Sequence, residues 1–382
     1  MTINLKVGLD GRVLVDKYHG IGRMLYEMLR ELGSLSQVRI TLFVPPVVSD
    51  RFPLSRLGPA IRTVPVAIPL PSALQTLRWP EVLRRNDIDV MVYPYHLGAP
   101  VVSSTPQLVI IHDCILETDR MHGPRFVGMP YRLATNLVAN HSTVLTVSET
   151  SARALHEHYN IDVPTEHVIR PAAASNFQPG YGRSAGLTRH LPERYLLHVG
   201  AHRPHKNVET LLKALPLLPP EMKLVLVGSV DHRHAQSTTS IVEELELGGR
   251  VIHLESVSEL LLPAIYEQAE ALVYPSLIEG FGLPIMEAMA MGTPVVASDI
   301  PVFREVAGDA ALFAHPDEPH HWVMQVMRIM NDRPLRDELV RRGHSVSAAR
   351  SWRAAAATMI RAAAAMADHA PNARAAIRRI GA

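Results

Sequence analysis

The sequence predicts an α/β protein made of two doubly wound parallel sheets joined by a linker. Three observations carry this. Short runs of Val, Leu and Ile alternate with segments of helical spacing along most of the chain, the pattern of parallel strands covered by helices on both faces. The alternation breaks near Pro171 and then resumes more cleanly. The chain has 382 residues, and at roughly 150 residues per domain that length implies two or three domains.

The elements follow in order. Leu5–Asp10 reads as a buried strand, and Gly20-Ile21-Gly22 as a glycine turn. Arg23 to Leu32 has apolar residues at 24, 25, 28, 29 and 32, which is helical spacing. Strands are expected at 38–44, 90–95, 107–113 and 143–148, and a helix at 149–159 with Ser148 as its cap. Residues 171–180 are rich in turn formers and lack a period, so they read as the linker or as a surface loop. Beyond it, strands are expected at 195–200, 223–228, 251–255, 272–275, 294–298 and 311–314. Helices are expected at 208–215, 283–291 and 322–330. From Arg350 onward the chain is rich in Ala and Arg and reads as helix, with a basic end at Arg374, Arg378 and Arg379. The expected domains are 1–175, 190–350 and a C-terminal helix, 351–382, packing back on the first domain. Two such sheets would leave a cleft between the carboxyl ends of their strands, where open α/β sheets bind ligands.

Bulk composition excludes several classes. Lys plus Arg number 38 and Asp plus Glu 37, so the net charge of +1 gives no global attraction to nucleic acid or anionic lipid. The single cysteine, Cys114, excludes a disulfide scaffold and argues against a thiolate metal cage. The first residues carry no basic stretch followed by a long apolar run, and no window reads as a membrane span, so a cytoplasmic location is expected.

The stretch from Pro275 to Pro294 reads strand, glycine loop, helix, glycine stop, strand. Gly280 and Gly282 permit close backbone approach to a ligand, and Pro284 suits a first helical turn. The N–H groups of Phe281, Gly282 and Leu283 would then point from a helix N-terminus, a favourable place for a diphosphate. Glu287, in the first turns of that helix, can accept hydrogen bonds from vicinal hydroxyls such as those of a ribose. Glu279, in the loop, can reach hydroxyls of a sugar. The alternative is that Glu279 caps a turn and Glu287 lies on the surface.

Glu279, seven intervening residues and Glu287, within Glu-Gly-Phe-Gly-Leu-Pro-Ile-Met-Glu and followed by Gly-Thr-Pro-Val-Val-Ala-Ser at 292–298, resemble the donor motif of family 4 retaining glycosyltransferases of GT-B fold. The resemblance implies two Rossmann-like domains facing each other across a cleft. His198 to Asn207 is similar to that family's strand-to-helix turn, where a basic pair clamps the donor diphosphate. Lys206 matches the clamp lysine. Many relatives carry an arginine soon after the glycine. Here Ala201 and His202 stand there and Arg203 comes slightly later, so Arg203 is either a clamp residue or a solvated charge. The Leu254–Leu260 segment resembles the loop beside the nucleotide base, which backbone atoms near Val257 would read.

Asp10-Gly11-Arg12 followed by Gly20-Ile21-Gly22-Arg23 resembles the N-terminal signature of a mannosyltransferase-like branch. It implies that the glycine loop faces the diphosphate at Gly22 and the acceptor at Gly20. His112, at the end of Ile110-Ile111-His112-Asp113, matches a family histidine beside the transferred sugar. Asp113 would orient it or contact the acceptor. Thr146-Val147-Ser148-Glu149 is family-like too, or simply a helix cap.

The implied reaction is hexose transfer with retention, in which the acceptor hydroxyl attacks from the face the diphosphate leaves. Glu279 then positions the sugar rather than attacking it. The first donor reading is GDP-mannose, with UDP- and dTDP-sugars and a small-molecule acceptor as alternatives. The acceptor would be a glycan or a polyprenol-linked saccharide in polysaccharide biosynthesis. For a lipid-linked acceptor, Leu74 to Arg85 mixes apolar and basic residues and suits a membrane surface, or else is a core helix interrupted by Pro80. No cofactor and no metal are expected, because the close histidine groups (202 with 205, 232 with 234, 320 with 321) lack a matching ligand set. Competing classes are a GT-B epimerase or phosphorylase and a non-catalytic nucleotide-sugar-binding protein.

Overall fold

The computed structural model describes residues 5–33, 38–72, 74–117, 128–180, 191–229 and 235–369. The basic end at Arg374 to Arg379 and the pair His232 and His234 lie outside them. The chain divides into two compact units, 1–171 with 352–382 and 172–351.

The first unit holds β1 (Leu5–Asp10), α1 (His19–Leu32), β2 (Val38–Val44), β3 (Ile61–Pro65), α2 (Gln75–Arg85), β4 (Val90–Tyr93), β5 (Gln107–Ile110), α3 (Met129–Asn140), β6 (Thr143–Leu145) and α4 (Glu149–Tyr159). The second holds β7 (Tyr195–Val199), α5 (Val208–Ala214), β8 (Lys223–Val227), α6 (Ala235–Glu244), β9 (Val251–Leu254), α7 (Leu262–Gln268), β10 (Ala271–Tyr274), α8 (Leu283–Met291), β11 (Val295–Ser298), α9 (Pro301–Ala307), β12 (Leu312–Ala314), α10 (Pro319–Asn331) and α11 (Arg333–Ala348). The last described helix, α12 (Trp352–His369), returns to the first unit, where it packs against α1, β1 and β4.

Each unit has a six-stranded sheet with every described pairing parallel. The orders are β3-β2-β1-β4-β5-β6 and β12-β11-β10-β7-β8-β9. Chain direction across the sheet reverses at β1/β4 in one unit and at β7/β10 in the other. Loops leaving adjacent strands there part to opposite faces, which opens a crevice for ligand. Sheet residues of alternating sense fill the core. Met91, Tyr93, Val109 and Ile111 face Trp79 and Leu83 of α2, Val138 of α3 and Leu155 of α4. In the second unit Leu196, Leu224, Leu226 and Val273 face α5 and Trp322 and Val326 of α10.

Several expected strands end one to three residues early. Pro94 lacks the N–H that would continue β4, and the residues released at 94–95, 111–113 and 146–148 become loops at the strand ends. The glycine turn is a correction. Gly20 and Gly22 lie inside α1, which begins at His19. Gly22 is there for contact, since a Cβ on it would stand 2.7 Å from the Val13 carbonyl and 3.0 Å from the Phe52 ring. The segment read as a membrane patch or core helix is α2 despite Pro80. It turns Gln75, Trp79 and Leu83 inward and leaves Leu77, Arg78, Arg84 and Arg85 exposed. Trp79 sits edge-on between Phe43 and Tyr93.

Candidate functional site

A mostly buried ion pair of the second unit sits past the ends of β7 and β10, the pair at its switch point. After β7 the chain makes a short turn over Pro204–Lys206, and Asn207 adopts left-handed geometry to start α5. After β10 it runs through buried Ser276 to Glu279. The Leu277 N–H donates to the His205 carbonyl at 2.8 Å, stitching the two loops together.

This registry brings Lys206 and Glu279 into contact. The Lys206 Nζ donates to Glu279 Oε1 at 2.5 Å and to the Tyr274 hydroxyl oxygen at 3.0 Å. The Tyr274 hydroxyl donates to the same Glu279 oxygen at 3.0 Å. Only 14% of the Lys206 side chain and 12% of that of Glu279 are exposed. Burial acts to lower the Lys206 pKa, but the Glu279 carboxylate and Tyr274 outweigh it and hold it raised. Burial likewise pushes Glu279 up, and the Lys206 charge with His205 brings it below the usual range. Both are therefore charged at neutral pH.

Next along the chain, Gly282 caps α8 at φ 108°. That region is open to glycine alone at little cost, and a Cβ would also approach the Phe303 ring to 3.0 Å. Among the described residues the N–H groups of Phe281, Gly282 and Leu283 have no backbone acceptor, and Pro284 has no N–H to add. Three donors and the positive end of α8 thus follow Glu279, the partner of Lys206, on the same loop. Gly280 and Phe281 are buried, and the Arg350 guanidinium lies 5.2 Å from the Phe281 ring centre. Glu287 is buried rather than superficial, at 4% exposure, and accepts from the Tyr266 hydroxyl at 2.7 Å.

Histidines surround the cluster. His198 is fully buried, and its Nδ1 donates to the Val273 carbonyl at 3.2 Å. Burial, aided by His202, lowers its pKa to about 3. His202 is buried against His253, with ring centres 4.5 Å apart, and burial lowers its pKa to about 4. Arg203 is exposed and makes no ion pair among the described residues. Val257 is half-buried in the loop after β9, with exposed neighbours at 255, 256 and 258.

In the first unit, His112 lies past the end of β5. Its Nε2 donates to the Pro94 carbonyl at 2.7 Å, which leaves Nδ1 as an acceptor. The Pro94 carbonyl orients the ring at this nitrogen, and the Asp113 Oδ1 accepts from the Ile115 N–H at 3.1 Å. Burial lowers the His112 pKa. Asp10 and Arg12 form a buried bidentate pair at 2.8 and 2.7 Å. Arg12 also donates to the carbonyls of Ile68, Pro69 and Gly98, so this pair ties β1 to two loops. Ser148 caps α4 by accepting from the Ser151 N–H, and Thr146 bonds the Ile111 carbonyl. Glu149 pairs with Arg170 at 2.8 Å. Among the described residues no group of three or more His, Cys, Asp or Glu side chains could hold a metal ion.

Residues 185–346 match the family described as Glycosyl transferases group 1. This stretch is a group 1 glycosyl transferase domain. It includes every element of the cluster from His198 to Glu287. The chain is 38% identical over 187 residues to the O-antigen chain mannosyltransferase RfbU of Salmonella typhimurium, covering 49% of this chain and 50% of that protein. It is 30% identical over 219 residues to the O-antigen chain mannosyltransferase B of Escherichia coli, covering 55% and 57%. The chain thus spans about half the length of the curated relatives it matches. Among solved structures, sucrose-phosphate synthase from Thermosynechococcus elongatus superposes with a TM-score of 0.75 at 19% identity, over 94% of this chain and 98% of that one. Anabaena HepE in complex with UDP-glucose gives 0.75 at 16%, over 94% and 100%. These two likenesses establish the fold, which is GT-B, with two parallel six-stranded sheets and flanking helices.

Tyr274 and Tyr266 carry no signal in the sequence, and His198 stands there only as the first residue of the strand-to-helix turn. All three are aromatic residues of apolar segments. Only strand pairing reveals that Tyr274 and His198 end on neighbouring strands beside Lys206.

Proposed function

We propose that this protein is a retaining hexosyltransferase that takes its sugar from a nucleoside diphosphate, and the observation that carries the reading is the Lys206–Tyr274–Glu279 cluster beside the free N–H groups of α8. Lys206 and the helix end offer fixed positive charge where a departing diphosphate accumulates negative charge. Glu279 reaches hydroxyls of the transferred sugar and Glu287 those of the ribose, with Val257 beside the base. Arg203, exposed on the same turn, assists Lys206. The lysine and the backbone donors supply the charge a metal would otherwise provide, so EDTA is expected to leave turnover unchanged.

The acceptor oxygen forms a bond to the anomeric carbon as the bond to the diphosphate oxygen breaks, and the acceptor proton passes to that departing oxygen. Because the acceptor attacks from the face the diphosphate leaves, the anomeric configuration is retained, and Glu279 positions the sugar rather than attacking it. His112, neutral with Nδ1 open, accepts a hydrogen bond from a sugar hydroxyl, and Asp113 and Gly20 belong to the acceptor side. NMR of the first-formed anomer tests the stereochemistry. His112→Ala that turns over at the full rate would remove that residue from the reaction.

GDP-mannose is the first donor to try, because RfbU and the Escherichia coli relative are named mannosyltransferases. The deciding experiment is a thermal-shift panel of GDP, UDP and dTDP. A ligand at about 100 times its dissociation constant stabilises by roughly 2.7 kcal/mol. No shift with any of them would sink the donor reading, and a selective shift names the base. A protein that binds without turnover would instead be a nucleotide-sugar sensor.

The acceptor is a glycan or polyprenol-linked saccharide of polysaccharide biosynthesis, reached from the inner membrane surface. No described helix is long and apolar enough to cross a membrane. The outward faces of α2 and α3, both packed on the 96–99 turn, expose Leu77, Met129, Leu133 and Leu137 with Arg78, Arg84 and Arg132. Apolar and basic side chains on one layer suit an anionic bilayer. Co-sedimentation with phosphatidylglycerol vesicles is expected, weakened by Leu133→Asp. Equal pelleting with neutral vesicles, or none, would refute the contact.

A further inference from the structure

Tyr274 is fixed on three sides. Its ring stacks on His198, with centres 5.7 Å apart and planes at 27°, and packs on Phe303 at 5.3 Å. Its hydroxyl touches both charged groups of the cluster. The direction of these bonds is forced. An ammonium has no lone pair, so Lys206 donates to the phenol oxygen, and the single phenol proton goes to Glu279. Burial and the Glu279 charge hold the phenol pKa raised, so that proton stays in place.

This matters when a ligand arrives. A diphosphate draws the Lys206 charge away from Glu279. The carboxylate, mostly buried, would then lose its partner, and an unpaired buried charge is strongly unfavourable. The Tyr274 hydroxyl is a donor that remains on the carboxylate, with the Ser276 hydroxyl close by.

We propose that Tyr274 is a positioning residue that keeps Glu279 aimed at the transferred sugar once Lys206 turns to the diphosphate. The inference rests on the donor reading given above. It separates two functions of one cluster: Lys206 governs affinity for the diphosphate, and the phenol governs what Glu279 does to the sugar. A nucleoside diphosphate without sugar does not engage Glu279, so loss of the phenol leaves its binding nearly intact.

The test uses Tyr274→Phe, which keeps the ring and its packing, alongside Glu279→Gln and the double variant. GDP, UDP or dTDP, whichever the wild type binds, serves as the sugar-free probe by calorimetry, and turnover is followed with the matching nucleotide sugar. Tyr274→Phe is expected to keep the probe's Kd within about threefold while kcat falls about tenfold or more, the scale of one hydrogen bond to a charged group. Glu279→Gln frees Lys206 and is expected to tighten the probe several-fold while lowering kcat. If the phenol acts through Glu279, the double variant loses no more kcat than the worse single variant. Unchanged kcat in Tyr274→Phe overturns the proposal. So do equal losses of probe affinity and kcat, or losses that multiply in the double variant. A wild type that binds no nucleoside diphosphate defeats the donor reading itself, which this outcome keeps distinct.

Discussion

At Lys206, burial and charge pull in opposite directions, and Glu279 decides the balance. Lys206→Met is expected to lower nucleoside diphosphate affinity about 10- to 100-fold, the loss of one charge-assisted contact of about 1.5–3 kcal/mol. Isothermal calorimetry checks it. The same change leaves the Glu279 carboxylate unpaired. Buried histidines set a second residue-level expectation. His96 and His198 are lowered to about 3 and His202 to about 4, burial being the main cause in each. Their folded values lie below the unfolded value of about 6.5. Above that value neither state holds the proton and nothing is lost. As pH falls, the unfolded chain takes up protons the folded chain refuses, so stability declines from about pH 6.5 down to the folded values. Between pH 7 and 5 the expected loss is about 2 kcal/mol per histidine. Urea unfolding across that range measures it, and a flat profile would show that the rings are reached by water.

Helix ends and close contacts make the element-scale argument. Gly282 starts α8 at a φ that side chains avoid and beneath a ring they would strike. Gly282→Ala is expected to cost about 1–3 kcal/mol of stability and to weaken diphosphate binding, because the α8 N-terminus shifts with it. Melting and calorimetry together separate the two effects. The two glycines of α1 should behave oppositely. A Cβ at Gly20 meets nothing within 4 Å, whereas at Gly22 it meets the Val13 carbonyl. Gly20→Ala is therefore expected to stabilise by up to about 1 kcal/mol, and Gly22→Ala to destabilise. Loss of turnover in a stable Gly20→Ala would support its place on the acceptor side.

At the scale of the whole molecule, the chain leaves the first unit after Pro171 and comes back to it at Trp352. The returning α12 buries Trp352, Ala355, Ala356, Met359 and Ala363. Met359→Ala is expected to destabilise by about 2–5 kcal/mol, the usual range for a buried methionine, read as a lowered urea midpoint. The Asp10–Arg12 pair anchors the same unit from within. Arg12→Met strands a fully buried carboxylate and is expected to cost about 3–5 kcal/mol. Arg12 also satisfies three carbonyls, so early proteolysis at the 66–70 and 96–99 loops should accompany that loss.

Local chemistry was legible without coordinates. The apolar runs at 5–10, 195–199 and 295–298 are strands because a strand buried on both faces has no polar alternative. The pattern Glu279 to Glu287 announces its own loop and helix, since Gly282, Pro284 and Gly292 leave the backbone little other choice. What lies between elements was not legible. The glycines at 20 and 22 look like a turn in isolation, and only the neighbouring Val13 carbonyl and Phe52 ring explain why Gly22 sits in a helix. Nothing local links Tyr274 to Lys206, 68 positions apart. Their meeting depends on β7 and β10 being neighbours, and strand order is a property of the whole sheet. Sequence alone singled out Lys206, Glu279 and Glu287 as the candidates for holding a nucleotide sugar. Tertiary structure decided that Lys206 and Glu279 first grip each other, because two opposite charges in a shared, poorly hydrated crevice have no better partner until a ligand supplies one.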